Sequence, residues 1–203
     1  MPATVMTYNN TVMSFGLQPK WMAVESDPHN LPPYTIRCKF YSDYTPTFGD
    51  SQTLVDSTNN IWDIHKSGPD WSALFDSNTQ LEEVIAANTT GVTRMAVMFY
   101  GCTNLVSVSL FDTSLVTNMR SMFSGCINLA EVPLFDTSSV TYIDTMFYRC
   151  YAVESGALAL YQQASTQANP PISHDRTFEY CGRDTVTGRA ELESIPQSWG
   201  GVM

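Results

Sequence analysis

A 24-residue period limits what this chain can fold into more than any other feature. The segments 81–104, 105–128 and 129–152 align without a gap. Leu81, Leu105 and Leu129 coincide, as do Val84, Val108 and Val132. The pairs Met98-Phe99, Met122-Phe123 and Met146-Phe147 fall in register, and Cys102, Cys126 and Cys150 close the units. These positions are the expected core. A unit this short cannot bury its own apolar face, so neighbours must stack on one another.

Two patterns alternate within a unit. Leu105, Val108 and Leu110 resemble the LxxLxL strand of leucine-rich repeats, with all three side chains expected inward. Met119, Met122 and Phe123 fall at i, i+3 and i+4, the spacing of a helical face. Thr117 stands where a helix N-cap belongs, and Thr141 with Asp144 resembles a capping box. Gly101 and Gly125 would end the turn in a left-handed conformation, with Arg149 in that place in the third unit. The expectation is an α/β repeat, a short leucine-rich-repeat solenoid with parallel strands on one side and helical turns on the other. Pro133 lacks a ladder donor, so the third strand should be only two or three residues long.

The expected organisation has four parts. Residues 1–50 form a small β segment or attachment arm, with 4–15 and 35–41 as strands, Asn9-Asn10 as a turn and Pro32-Pro33 as a break. Residues 51–80 form a capping repeat in which Leu74-Phe75 and Asn78 replace Met-Phe and Cys. Residues 81–152 carry the three full units. Residues 153–203 form a C-terminal cap, with Phe178 and Cys181 displaced by an insertion that contains a helix over 156–168.

Charge excludes some partners. The chain of 203 residues has 20 acids against 10 bases, a formal net charge of −10. Lys20, Lys39 and Lys66 are far apart, so there is no basic footprint for nucleic acid and no basic amphipathic membrane helix. No stretch approaches the ~20 apolar residues of a membrane-spanning helix. The first 25 residues do not read as a signal peptide. Charged residues make up only 15%, so Ser, Thr and Asn must supply the polar surface.

No chemical constellation emerges. Cysteines 24 residues apart are not spaced as metal ligands, and they read either as buried free thiols or as disulfide partners between adjacent units. Asp112 and Asp136, with Asn88 in the first unit, read as turn residues that bond their own backbone, or as a calcium row. His29, His65 and His174 join no serine or cysteine in a catalytic pattern. Asn9 and Asn88 lie in N-x-[ST] patterns. No catalytic residue, metal or cofactor is assigned. Two binding faces remain open: the outward sheet positions Glu83, Ile85, Ser107, Ser109, Glu131 and Pro133, and the helical-side aromatics Tyr100, Tyr142, Tyr148 and Tyr151.

The string LFDTS-x-VT-x-M-x-x-MF-x-x-C-x-x-L, nearly intact from Leu110 and again from Leu134, resembles the BspA-like bacterial surface leucine-rich-repeat family. The resemblance covers 81–152 most fully and implies adhesion or the binding of protein or glycan. The chain also resembles, more loosely, repeat proteins carried by phages and prophages of gut Bacteroidales. That likeness implies a non-enzymatic virion component, released by lysis, that recognises the host surface or decorates the particle. Its partners would be other virion subunits or a bacterial surface protein or glycan, and a homo-oligomer stays open. A cell-surface adhesin is the alternative, and a glycan depolymerase using Glu83 and Glu131 is the remote one.

Overall fold

A computed structural model describes residues 5–8, 11–14 and 31–202. The strands β1 (Val5–Tyr8) and β2 (Thr11–Ser14) pair antiparallel. The Asn9-Asn10 turn and His29 lie outside the described residues. A five-stranded sheet follows, built from β3 (Thr35–Phe40), β4 (Ser51–Asp56), β5 (Ile61–His65), β6 (Leu81–Asn88) and β7 (Ser107–Val108). Its order is β4-β5-β3-β6-β7. β3 runs antiparallel to both neighbours, whereas β6 and β7 are parallel. The strand of the first repeat is therefore shared: one edge joins the preceding hairpin and the other joins the next unit. The cross-strand pair Arg37–Asp63 fastens β3 to β5, with bidentate hydrogen bonds of 2.7 and 2.8 Å.

The expected α/β solenoid with helical turns does not form. The structure is a mixed sheet followed by turns and irregular chain. Among the described residues its only α-helices, α1 (Ala157–Thr166) and α2 (Val186–Leu192), lie outside the three units. Backbone hydrogen bonding explains the departure. Met95, Val97, Phe99 and Gly101 donate N–H to Asn118, Arg120, Met122 and Ser124 of the next unit. Met98, Tyr100 and Cys102, which alternate with them, donate three residues back within the unit. A helix would send every donor four residues back. Here alternate donors are spent between units, and the segment becomes a run of tight turns.

That alternation needs left-handed residues. Val97, Ser121 and Thr145 have φ of 52°, 53° and 53°, and Gly101, Gly125 and Arg149 have 65°, 79° and 61°. Thr117 is not an N-cap, because its hydroxyl donates to the Thr93 carbonyl. Asp144 completes no capping box and accepts from the Ser173 hydroxyl.

The units still stack in register. Isolated parallel bridges run Asp70–Arg94–Asn118–Tyr142–Ser173. Phe75, Phe99, Phe123, Phe147 and Phe178 form a column with centroids 5.1 to 6.0 Å apart and planes within 13° of parallel. Stacked rings of this kind add to the area they bury. Every expected core side chain is buried except Val108, which is half-buried. At the first end Phe48 meets Phe75 edge-on at 5.0 Å. At the other end Trp199 accepts from the Phe178 N–H and stacks on His174 at 4.2 Å.

The strand side shortens along the chain. β6 has eight residues, β7 has two, and the third unit retains only the Glu131–Ser155 bridge. Leu110, expected inward, is instead exposed. Once pairing stops at Val108, the period-two alternation lapses, and the adjacent Phe111 turns toward the core. In the third unit Phe135 donates to the Pro133 carbonyl at 2.9 Å, a γ-type turn centred on Leu134. That turn throws Leu134 outward while Phe135 is buried.

Candidate functional site

The truncated strand side leaves an open face. One hollow of about 670 Å3 lies between the end of β6 and the stretch after β7, lined by Ile85, Asn88, Ser109, Leu110, Phe111 and Asp112 among others. A second, of about 420 Å3, lies one unit further on and is lined by Val106, Ser107, Leu110, Glu131, Pro133 and Leu134 among others. Leu110 borders both, so the two form one run across the units. Its walls carry three of the more exposed large apolar side chains: Leu110 at 63%, Leu134 at 48% and Val106 at 47%. Single exposed leucines are ordinary, whereas a cluster inside one concavity is a feature to account for.

Position 86 of the first unit shows why the cluster begins where it does. Ala86, Leu110 and Leu134 are equivalent by the 24-residue period, yet Ala86 is buried. It sits in a fully paired strand opposite Arg37 of β3. The same position becomes an outward leucine once that pairing is gone.

The recurring aspartates are fixed by their turns. The Ser114 and Ser138 amides donate to Asp112 and Asp136 at 2.9 and 2.8 Å. Hydrogen bonds from Ser114 hold the Asp112 carboxyl below the usual carboxylate range. The recurring aspartates thus form local turns with their own backbone, as do Asp70 with Ser72 and Asn118 with Arg120.

Of the outward positions read from the sequence, Ile85, Ser107, Ser109, Glu131 and Pro133 line the run of hollows, although Pro133 is itself buried. Glu83 is half-buried beside β7 and lies outside both. The aromatics of the turn side are not gathered with them. Tyr100 and Tyr142 are exposed singly, while Tyr148 packs on Tyr180 and lies beneath Arg149. Tyr151 is covered by Arg183 at 4.5 Å. Leu110 and Leu134 are the residues the sequence pattern missed. The signal was present in the repeated Leu-Phe pair, because adjacent residues of an extended segment cannot both face inward.

The thiols are free and buried. Cys102, Cys126 and Cys150 each donate at 3.1 Å to the carbonyl of Phe75, Phe99 and Phe123 in the preceding unit. Burial pushes the Cys102 thiol up to about 12 and those of Cys126 and Cys150 well above their ordinary value. Such thiols are poor nucleophiles and poor metal ligands. His65 lies in β5 within 3.4 Å of the Thr35 hydroxyl, and His174 lies against Trp199 at the far end.

The fold and this face define a protein of stacked repeat units with an open, partly apolar strand-side face. A family model described as "Mycoplasma protein of unknown function, DUF285" matches residues 69–178, more than half of the chain, and the chain belongs to that family. The match contains all three full units and reaches into the degenerate chain on either side, and it loosely fits the resemblance to BspA-like surface repeats. It carries no support for a phage origin. No curated protein and no solved structure matches the chain.

Proposed function

We propose that this chain is a non-catalytic binding protein that engages a partner through the strand-side hollows. One observation carries the reading: Leu110 and Leu134, equivalent positions in consecutive units, stand exposed within one concavity. Leaving two leucines in water rather than burying them forgoes roughly 3–5 kcal/mol of apolar transfer. A partner that covers them recovers part of that. The shallow, open form suits a polymer or a protein surface better than a small molecule, which is usually enclosed.

The partner belongs to a cell or particle surface in this reading. The BspA-like resemblance supports a surface role, and the looser phage resemblance would place the chain on a virion. Binding of fluorescently labelled protein to a panel of gut bacterial cells tests the face itself. Saturable binding that Leu110→Asp abolishes is expected; unchanged binding by that variant would remove this face from the account. Peptides of the chain in purified particles would locate it on a virion. Recovery from cell envelopes without lysis would make it an adhesin.

A further inference from the structure

We infer that the strand-side hollows hold an extended, basic polypeptide segment, its apolar side chains against Leu110 and Leu134 and its Lys or Arg side chains on Asp112 and Glu131. This rests on the reading above and names the partner class. Charge makes the first case. Among the described residues, the only charged side chains lining the two hollows are Asp112 and Glu131, and both are acidic. They lie in a chain of net charge −10, whose field favours the approach of a cation and opposes an acidic ligand. Nucleic acid and acidic glycan are disfavoured on that ground.

Shape makes the second case. The face runs over four successive rungs, from Ile85 through Ser109 and Glu131 to Ser155, and Glu83, Ser107, Glu131 and Ser155 mark its parallel register. At a spacing of ~4.8 Å these rungs cover about 14 Å, the reach of four or five extended residues. A neutral sugar polymer would ask for flat aromatic platforms. Among the described residues the one aromatic ring in the lining, Phe111, is half-buried and packs on Phe135 at 4.8 Å. What the face does offer is apolar steps between two carboxylates, with Ser107, Ser109 and Ser155 also in its lining. An extended peptide, with side chains alternating between two faces, matches that arrangement.

The test uses the full chain and three labelled synthetic peptides of roughly ten residues: alternating Val and Lys, alternating Val and Glu, and alternating Ser and Lys. Fluorescence anisotropy should show saturable binding of the Val/Lys peptide alone, weakening as salt rises from about 50 to about 300 mM. Glu131→Lys should weaken that peptide about tenfold and bring in the Val/Glu peptide. Equal binding of the Val/Lys and Val/Glu peptides, or an unmoved preference in Glu131→Lys, overturns the inference. The cell-binding assay separates the two layers. Loss of cell binding in Leu110→Asp with no peptide binding leaves the face standing and removes the basic-peptide partner. Intact cell binding in that variant removes the face itself.

Discussion

The antiparallel half of the sheet and the stacked units both satisfy their backbone donors, but by different means. β3, β4 and β5 pair antiparallel, so the sequence separation of partners changes at every step, with a register shift between Leu54 and Asp56 where β4 meets β5. Their anchors are particular: the Arg37–Asp63 fork, and Asn60 donating to the Tyr41 and Tyr44 carbonyls. In the stack each contact recurs every 24 residues, so a Phe carbonyl meets a Cys thiol at 3.1 Å three times over. The sheet is specified by single pairs. The stack is specified by a repeated one, and its stability should be shared between neighbouring units.

The largest break in that contrast is expected from Phe123→Ala, which removes the middle ring of the column. It should cost about 3–5 kcal/mol and separate the two halves of the stack in a denaturant melt. A melting shift of a degree or two would show that the column carries no weight. Alkaline pH should come next. Burial raises the thiols in the folded state, so above their ordinary value of 9.0 the unfolded chain gives up protons first. Stability is complete below pH 9 and falls as pH climbs toward the folded value, about 12 for Cys102. Urea melts at stepped pH should show this slope, and Cys126→Ala should flatten part of it; an identical slope in that variant would refute the cause.

Smaller effects separate the sheet from the stack. Asp63→Ala leaves Arg37, 9% exposed along its side chain, without its fork and should cost roughly 2–3 kcal/mol. Hydrogen exchange should then rise in β3 and β5 more than at Met98–Cys102; a uniform rise would mean that sheet and stack unfold as one unit. Asn78→Ala should cost about 1 kcal/mol. Asn78 occupies the cysteine position in the unit before the full repeats, yet it accepts from the Gln80 and Leu81 amides and donates to the Tyr44 hydroxyl. Leu110→Asp should change stability by less than about 0.5 kcal/mol while removing binding. A large loss of stability there would make Leu110 part of the core.

The period made the stack legible, because a contact repeated three times outweighs local ambiguity. The degenerate neighbours were legible for the same reason: Phe75 and Phe178 sit where the Phe column requires. The helical turns were misread because Met119, Met122 and Phe123 have the same i, i+3, i+4 spacing in a run of tight turns as in a helix. What separates the two is a left-handed residue at Val97 and Thr145, and β-branched side chains argue against that conformation. The β-hairpin contact with β6 carried no period, so nothing marked β3 as its partner. In the hollows, Ser107, Ser109 and Glu131 were readable from strand alternation, whereas Leu110 and Leu134 lie just past the point where alternation ends.

The alternate backbone bonds of the turn segments point one way, although Thr93, Thr117, Thr141 and Ser173 donate back to the preceding unit. At each of four junctions, from Trp71–Arg94 to Arg149–Glu179, four N–H groups of one unit donate to carbonyls of the following one. The peptide dipoles of these forward bonds add along the stack, and the bonds that point back offset part of the sum. The end near Asp70 becomes the negative pole and the end near Arg176 the positive pole. Lys66 and Arg94 lie close to Asp70 at the first, while Asp175 and Glu179 flank Arg176 at the second. The turn side thus behaves as a weak electrical axis, with side-chain charges set to oppose it at both ends.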